Sequence, residues 1–240
     1  MPQRPRGDLP EIGLRSREIA IMQHPLSREE ILSRIDVVLE QEGDERIAAG
    51  CDEVLRVLGA EDGVLEADER AFLTGYVGYL HPRTKSSEQA RQEASQHLLQ
   101  AHANASNSSL RGRAALYLGH LSYDVGDFSR AQAWFVRAQN EELGDYLGLK
   151  AREFETCCLI MSQGLGPSVE AFAEFVKRAR NAVVQDLWPQ ELARVLSAKI
   201  AEPLSDDARS QIREGATVLD DVGDFGRWFG EIVDNASALQ

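Results

Sequence analysis

The chain has 240 residues, of which 43% are hydrophobic and 27% are charged, so it can bury a substantial core in one or two domains. Its formal net charge of −13 opposes general binding to nucleic-acid phosphates and to anionic membrane surfaces. No stretch resembles a secretory leader or a membrane span, and the three cysteines (Cys51, Cys157 and Cys158) make no disulfide framework, so we expect a cytoplasmic protein.

The composition favours helices almost throughout. Leu, Ala, Glu, Arg and Gln dominate, and the long alternating runs of Val, Ile and Thr that would indicate strands are absent. Residues 1–18 differ, because they carry three prolines and several arginines without helical periodicity, and they predict a flexible N-terminal arm. We therefore expect an all-α protein after this arm.

Residues 25–63 predict the first pair of helices. Ser27 and Glu30 form the capping-box pattern, in which a serine hydroxyl and a glutamate three residues later satisfy the first amides of a helix. Apolar side chains recur at helical spacing through Leu39, and again over residues 44–58, which predict the second helix.

A second pair of helices is predicted over residues 66–80 and 87–103. The later helix carries Ala94, Leu98 and Ala101, a small, a bulky and a small side chain on one helical face. Small residues on such a face let a neighbouring helix approach closely.

The clearest pattern lies in residues 113–140. Two amphipathic helical stretches flank a turn at Gly126-Asp127, where glycine suits a left-handed helix cap and aspartate suits the start of the next helix. Gly119 puts no side chain on the first helix at the point where the second packs. The second helix repeats the small, bulky, small spacing of the preceding pair; its members are Ala131, Phe135 and Ala138.

Further helices are predicted after this pair. A long helix over residues 143–162 ends at the break 164–167, and the next helix spans 168–181. Trp188-Pro189 marks a turn before a helix that reaches Ile200, and Ser205 caps a helix through Val218.

An exact recurrence gives the best internal evidence for repetition. Residues 221–225 read Asp-Val-Gly-Asp-Phe, which is identical to residues 124–128 at the turn of the clearest pair. A final helix is predicted over residues 227–236 and would close the stack.

These features resemble tetratricopeptide (TPR) repeats, which are helix–turn–helix units of about 34 residues. The resemblance implies an α-solenoid of antiparallel helix pairs in a right-handed superhelix, with about eleven or twelve helices. It divides the chain into the arm 1–18, a helix pair 25–63, TPR-like repeats 66–182, and C-terminal helices 186–240 that include a degenerate TPR-like pair and a cap. A plain αα-hairpin with small residues at its crossing would explain a single copy almost as well.

The resemblance also implies a binding surface. In the TPR family the first helix of each pair lines the concave face, which here points five residues inward: Arg113, Leu116, His120, Tyr123 and Asp124. This mixture suits a peptide or a helix of another protein. Alternatively, Tyr123 and His120 pack against the neighbouring repeat. A clamp for a terminal carboxylate is not expected, because Asp124 is acidic.

No catalytic signature accompanies these helices. His97 and His102 lie five positions apart, off the spacing that lets two imidazoles on a helix share a metal, and no nucleophile-elbow, phosphate-loop or dinucleotide motif occurs. We therefore expect no enzyme, no cofactor and no metal.

The leading hypothesis is an adaptor or scaffold that binds a partner protein in the concave groove. Two alternatives remain: a structural subunit of a larger complex that uses its outer faces and ends, and a regulatory receptor gated by a peptide. The acidic regions 36–69 and 206–234 fit either a solvated face or a contact for a basic partner. No nucleic-acid or membrane partner is expected.

Overall fold

The structure is a computed structural model that describes residues 26–60, 63–181, 189–199 and 205–220. Within these ranges the protein is all-α, with ten α-helices, two short 3-10 helices (Pro82–Lys85 and Gly166–Ser168) and no strand. The α-helices are α1 (Arg28–Leu39), α2 (Asp44–Ala60), α3 (Ala67–Leu80), α4 (Glu88–Asn104), α5 (Ser108–Asp124), α6 (Phe128–Gln139), α7 (Gly144–Gln163), α8 (Val169–Asn181), α9 (Gln190–Lys199) and α10 (Asp206–Asp220).

The predicted all-α class is confirmed, and each predicted helix within the described ranges is present. The capping box at the start of α1 forms as predicted, since the Ser27 hydroxyl accepts from the Glu30 amide and the Glu30 carboxylate accepts from the Ser27 amide. The arm 1–18, the recurrence 221–225 and the final helix 227–236 lie outside the described residues. The division into domains and the helix count of the whole chain stay predictions.

Helices pack against the next helix in the chain, and some also pack against the next but one. Consecutive helices contact each other from α1 through α8, and α3, α5, α7 and α9 touch in series. Between them, α4 contacts α3 and α5, and α6 contacts α5 and α7. We call α3, α5, α7 and α9 the odd layer.

Small residues bring α3 and α4 together, as the sequence predicted. A Cβ added to Gly75 would lie 2.9 Å from the Leu98 amide nitrogen and 3.0 Å from the Ala94 carbonyl oxygen, so the two backbones are almost in contact. A Cβ on Gly78 would lie 3.2 Å from that of Ala94. The predicted face of α4 is buried, with Ala101 fully covered.

At the crossing of α5 and α6 a glycine again faces a bulky side chain, as Gly75 faces Leu98 at the crossing of α3 and α4. A Cβ added to Gly119 would lie 2.5 Å from Cε1 of Phe135, so the phenyl ring occupies the space that this glycine leaves. Ala131, Phe135 and Ala138 have no exposed surface. The predicted role of these residues at the crossing is confirmed.

The turn between α5 and α6 has the predicted geometry. Gly126 has φ +78°, and its amide donates to the Tyr123 carbonyl at 2.9 Å, while the Asp127 amide donates to the Ser122 carbonyl at 3.0 Å. This pair of bonds is a Schellman cap, which satisfies the last carbonyls of α5. The Asp127 carboxylate then accepts from the Arg130 amide at 3.2 Å and begins α6.

Candidate functional site

A pocket of about 480 Å³ opens on the odd layer where α5 ends. Residues from α3, α5, α6, α7 and α9 line it, and five of them carry aromatic rings. We call it the α5 pocket; it is lined by Tyr79, His120, Tyr123, Asp124, Gly126, Phe128, Phe154, Glu191 and Arg194. Convergent aromatic and polar groups in one concavity are typical of binding sites.

Three of the five predicted groove residues line this pocket: His120, Tyr123 and Asp124. Arg113 is exposed on the same helix but lies outside the pocket lining. Leu116 requires a correction, because its side chain is 1% exposed and packs in the core, where α3, α4 and α6 cover α5. Partner binding by these residues stays a prediction.

The exposed face of α5 contains three of the five predicted residues and one residue that was not predicted. Arg113 and Asp124 are exposed, and Tyr117 and His120 between them are partly exposed. These positions follow the i, i+4, i+7, i+11 spacing of one helical face. We call these four residues the α5 stripe; Tyr117 takes the place that the prediction gave to Leu116.

Aromatic rings continue the α5 stripe onto α3 and α7. The Tyr117 ring lies 4.5 Å from that of Tyr76 and 5.4 Å from that of Tyr79, measured between centroids. The His120 ring lies 4.3 Å from that of Phe154, nearly perpendicular to it. Because Tyr76, Tyr79 and Phe154 are also only partly buried, the odd layer presents a continuous aromatic strip.

The pocket is closed on one side by a polar link from α5 to α9. The Tyr123 hydroxyl donates to Oε1 of Glu191 at 2.6 Å. The Arg194 guanidinium donates to both oxygens of the same carboxylate, at 2.5 Å and 3.0 Å. Burial raises the pKa of Glu191, but the bonds from Arg194 and Tyr123 outweigh it and lower that pKa overall. Glu191 is therefore an ionised, fully engaged carboxylate.

The start of α9 is held by a buried carboxylate of α7. Glu153 is 1% exposed, and its Oε1 accepts from the amides of Glu191 and Leu192 at 3.1 and 3.2 Å. Its Oε2 accepts from the Lys150 ammonium at 2.8 Å. Pro189 precedes α9 and offers no side-chain acceptor, so Glu153 supplies the N-terminal cap from another helix.

The sequence could have indicated part of this site. Phe154 follows His120 by one repeat length of about 34 residues, so repeat alignment places both on the odd layer. Glu191 and Arg194 gave no such signal, because Glu191 contacts Tyr123 from 68 positions away. Only the three-dimensional packing brings α9 to the pocket.

His120 is neutral and belongs to the ring-bearing side chains that line the α5 pocket. We call these the aromatic wall; they are Tyr79, His120, Tyr123, Phe128 and Phe154. Burial lowers its pKa to about 4, helped by the positive charge of Lys150 and opposed by Glu191. The ring also lies 5.3 Å from that of Phe135, at an angle of 74°. At neutral pH the imidazole therefore contributes ring surface and no charge.

Acidification is expected to destabilise the fold through His120. A folded-state pKa below the unfolded value of about 6.5 gives a contribution that is fully present above that pH and is lost as the pH falls toward about 4. The loss should reach up to about 3 kcal/mol in the free energy of unfolding. Urea unfolding at several pH values should show a flatter dependence for His120→Phe; equal slopes for both proteins would contradict this.

The cysteine thiols are buried and protonated. Burial raises the pKa of Cys51 to about 11 and that of Cys158 to about 12, and it raises that of Cys157 strongly. Among the residues that the structure describes, no group of three or more His, Cys, Asp and Glu could hold a metal ion. No helix in the described ranges has the length and apolar character that crossing a bilayer requires.

Comparisons with known proteins give no relative. No family model matches the chain, and no curated protein or solved structure matches it. The function of the chain is therefore inferred from its own residues and geometry.

Proposed function

We propose that this chain is a TPR-like repeat protein that acts as an adaptor or scaffold, holding a peptide or helix of a partner protein along the odd layer. The observation that carries the proposal is the α5 stripe together with the aromatic strip that it continues. The bound segment lies along Tyr76, Tyr79 and Tyr117 and ends at the α5 pocket.

Helix packing supports the repeat architecture. Gly75 meets Leu98 of α4 and Gly119 meets Phe135 of α6, so in two successive pairs a glycine of the first helix faces a bulky side chain of the second. The contacts of α3 with α5 and of α5 with α7 are those expected where successive pairs stack side by side. We propose that the stack continues as a right-handed superhelix.

The chemistry of the strip supports a protein ligand. Partly exposed aromatic side chains provide contact area with little loss of conformational entropy, and they are enriched at the energetic centres of interfaces. Arg113 at one end and Asp124 at the other give charges of both signs, which can fix the direction of a bound segment.

Catalysis is not part of the proposal. Within the α5 pocket, His120 has a pKa lowered to about 4, and the Glu191 carboxylate is engaged by Arg194 and Tyr123. Neither group is a general base that is both available and poised near neutral pH.

Charge reversals on α5, compared with charge reversals on α4 and α6, test the proposal. Arg113→Glu and Asp124→Lys change exposed residues of α5, while Arg130→Glu and Glu93→Lys make the same changes at exposed positions of α6 and α4. We expect partners captured from a native extract, quantified by mass spectrometry, to fall at least about tenfold with the α5 pair, equivalent to about 1.4 kcal/mol. All four variants should keep the wild-type circular dichroism and Tm.

The opposite pattern would contradict the groove. If capture survives the α5 reversals and is lost with the α4 and α6 reversals, the interface lies on the outer face and the structural-subunit alternative is favoured. A change of hydrodynamic radius on binding a peptide excised from the captured partner would favour the peptide-gated receptor instead.

A further inference from the structure

We infer that the α5 pocket binds a cationic group, an ammonium or guanidinium, between its aromatic wall and the Asp124 carboxylate. The origin of this group rests on the proposed function: it is the side chain of a lysine or arginine in the partner segment. The pocket would thus select the residue that the partner places at the end of α5.

The charges at the pocket mouth leave one carboxylate in excess. Arg194 and Glu191 neutralise each other through two hydrogen bonds. Asp124 is exposed, and within the described ranges no cation lies within ion-pair distance of it. The site therefore carries one net negative charge at the place where a ligand would enter.

The end of α5 adds a second attraction for a cation. Asp124 is the last residue of the helix, where the aligned carbonyl dipoles place partial negative charge. The first turns of α6 and α9, whose dipole ends are partly positive, also lie at the pocket, so the preference for a cation over an anion depends on the Asp124 carboxylate.

Aromatic rings supply the other part of the proposed cation site. Tyr123 lies 5.2 Å from Phe154 and 5.4 Å from Phe128 between ring centroids, and both contacts are close to perpendicular. These rings line the pocket, and the face of an aromatic ring attracts a cation within about 6 Å. The methylene groups of lysine or arginine would also be covered by these rings.

The electrostatic surroundings of Asp124 also favour a cation beside it. Although the Asp124 side chain is exposed, neighbouring groups partly desolvate its carboxylate; this raises its pKa, the negative charge of Glu191 raises it further, and Lys85 and Arg91 lower it only in part. A cation at the pocket would offset both unfavourable effects on the ionised carboxylate.

A second cavity of similar size shows that concavity alone does not produce these features. It also measures about 480 Å³ and lies between α4 and the α5–α6 turn. Its lining contains no aromatic residue, and its charges balance, with two acidic and two basic side chains: Glu88, Asp127, Arg91 and Arg130.

Small probes test the inference without a known partner. The 240-residue chain is titrated with Nα-acetyl-lysine methylamide and, separately, with the neutral Nα,Nε-diacetyl-lysine methylamide, and amide chemical shifts are followed by NMR. We expect saturable shifts centred on Gly126 and Phe128 with the charged probe only. Asp124→Asn should weaken its binding at least about tenfold.

Asp145→Asn is the matched control, because Asp145 is an exposed carboxylate beside another pocket of about 440 Å³. This variant should bind the charged probe like the wild type. Equal shifts with the neutral probe, shifts spread over the acidic surface, or unchanged binding in Asp124→Asn would each overturn the inference.

Failure of the inference and of the proposed function are distinguishable. If the α5 reversals abolish partner capture but the charged probe does not bind in the α5 pocket, the cation site is wrong and the proposed groove is supported. If the charged probe binds at Asp124 but partner capture is unchanged by the α5 reversals, the proposed groove is wrong and the pocket still binds cations.

Discussion

Replacing Gly119 by alanine is expected to lower the free energy of unfolding by about 1–3 kcal/mol, although alanine favours helices over glycine by about 1 kcal/mol. The added Cβ would lie 2.5, 2.7 and 2.9 Å from three atoms of the Phe135 ring. That ring is fully buried and touches the rings of His120 and Phe154, so it cannot move without disturbing the aromatic wall. Equilibrium unfolding in urea measures the change.

Two comparisons isolate the cause of this effect. Gly148→Ala, in α7, adds a Cβ with no atom within 4 Å, and it should leave stability unchanged or raise it by about 0.5–1 kcal/mol. Combining Gly119→Ala with Phe135→Leu should cost less than the sum of the two single changes, because the smaller side chain leaves room for the methyl group. Additive costs in the double variant would show that the clash is not the cause.

Glu153→Ala is expected to cost about 2–4 kcal/mol. The change removes the acceptor of two amides at the start of α9 and one partner of the ion pair with Lys150. The amides of Glu191 and Leu192 would then lack this acceptor. Urea unfolding gives the total cost. Hydrogen exchange of the variant, compared with that of the wild type, should be accelerated more in α9 than in α3.

Glu153→Gln separates the cap from the charge. Glutamine keeps one acceptor oxygen and loses the negative charge, so its cost should be smaller than that of alanine. Burial raises the pKa of Glu153, so ionising this group weakens the fold as the pH rises through its folded pKa; the glutamine variant should lack that dependence. Equal stability of the alanine and glutamine variants would show that Glu153 does not cap α9.

Local features of this fold could be predicted because their causes lie close together in the chain. The capping box of Ser27 and Glu30 and the turn at Gly126-Asp127 depend on residues within a few positions of each other. The crossing of Gly119 and Phe135 was also predictable, since repeat spacing links adjacent helices.

The candidate site was only partly predictable because its geometry depends on packing. The prediction placed Leu116 on the exposed face of α5, but Leu116 lies in the core and Tyr117, which contacts the rings of α3, takes its place. Periodicity alone does not identify the exposed residues of a helix that packs against four others, namely α3, α4, α6 and α7. Glu191 and Arg194 come from a helix whose position no local pattern specifies.

The docking of α9 divides the proposed binding surface into two parts that can form at different stages of folding. The α5 stripe needs only helices that are near one another in the chain, so it can assemble while the C-terminal part is still being synthesised. The α5 pocket needs Glu191 and Arg194, which reach Tyr123 only after a long loop has closed. A ligand that fills the pocket would therefore stabilise the docked state of α9 by mass action.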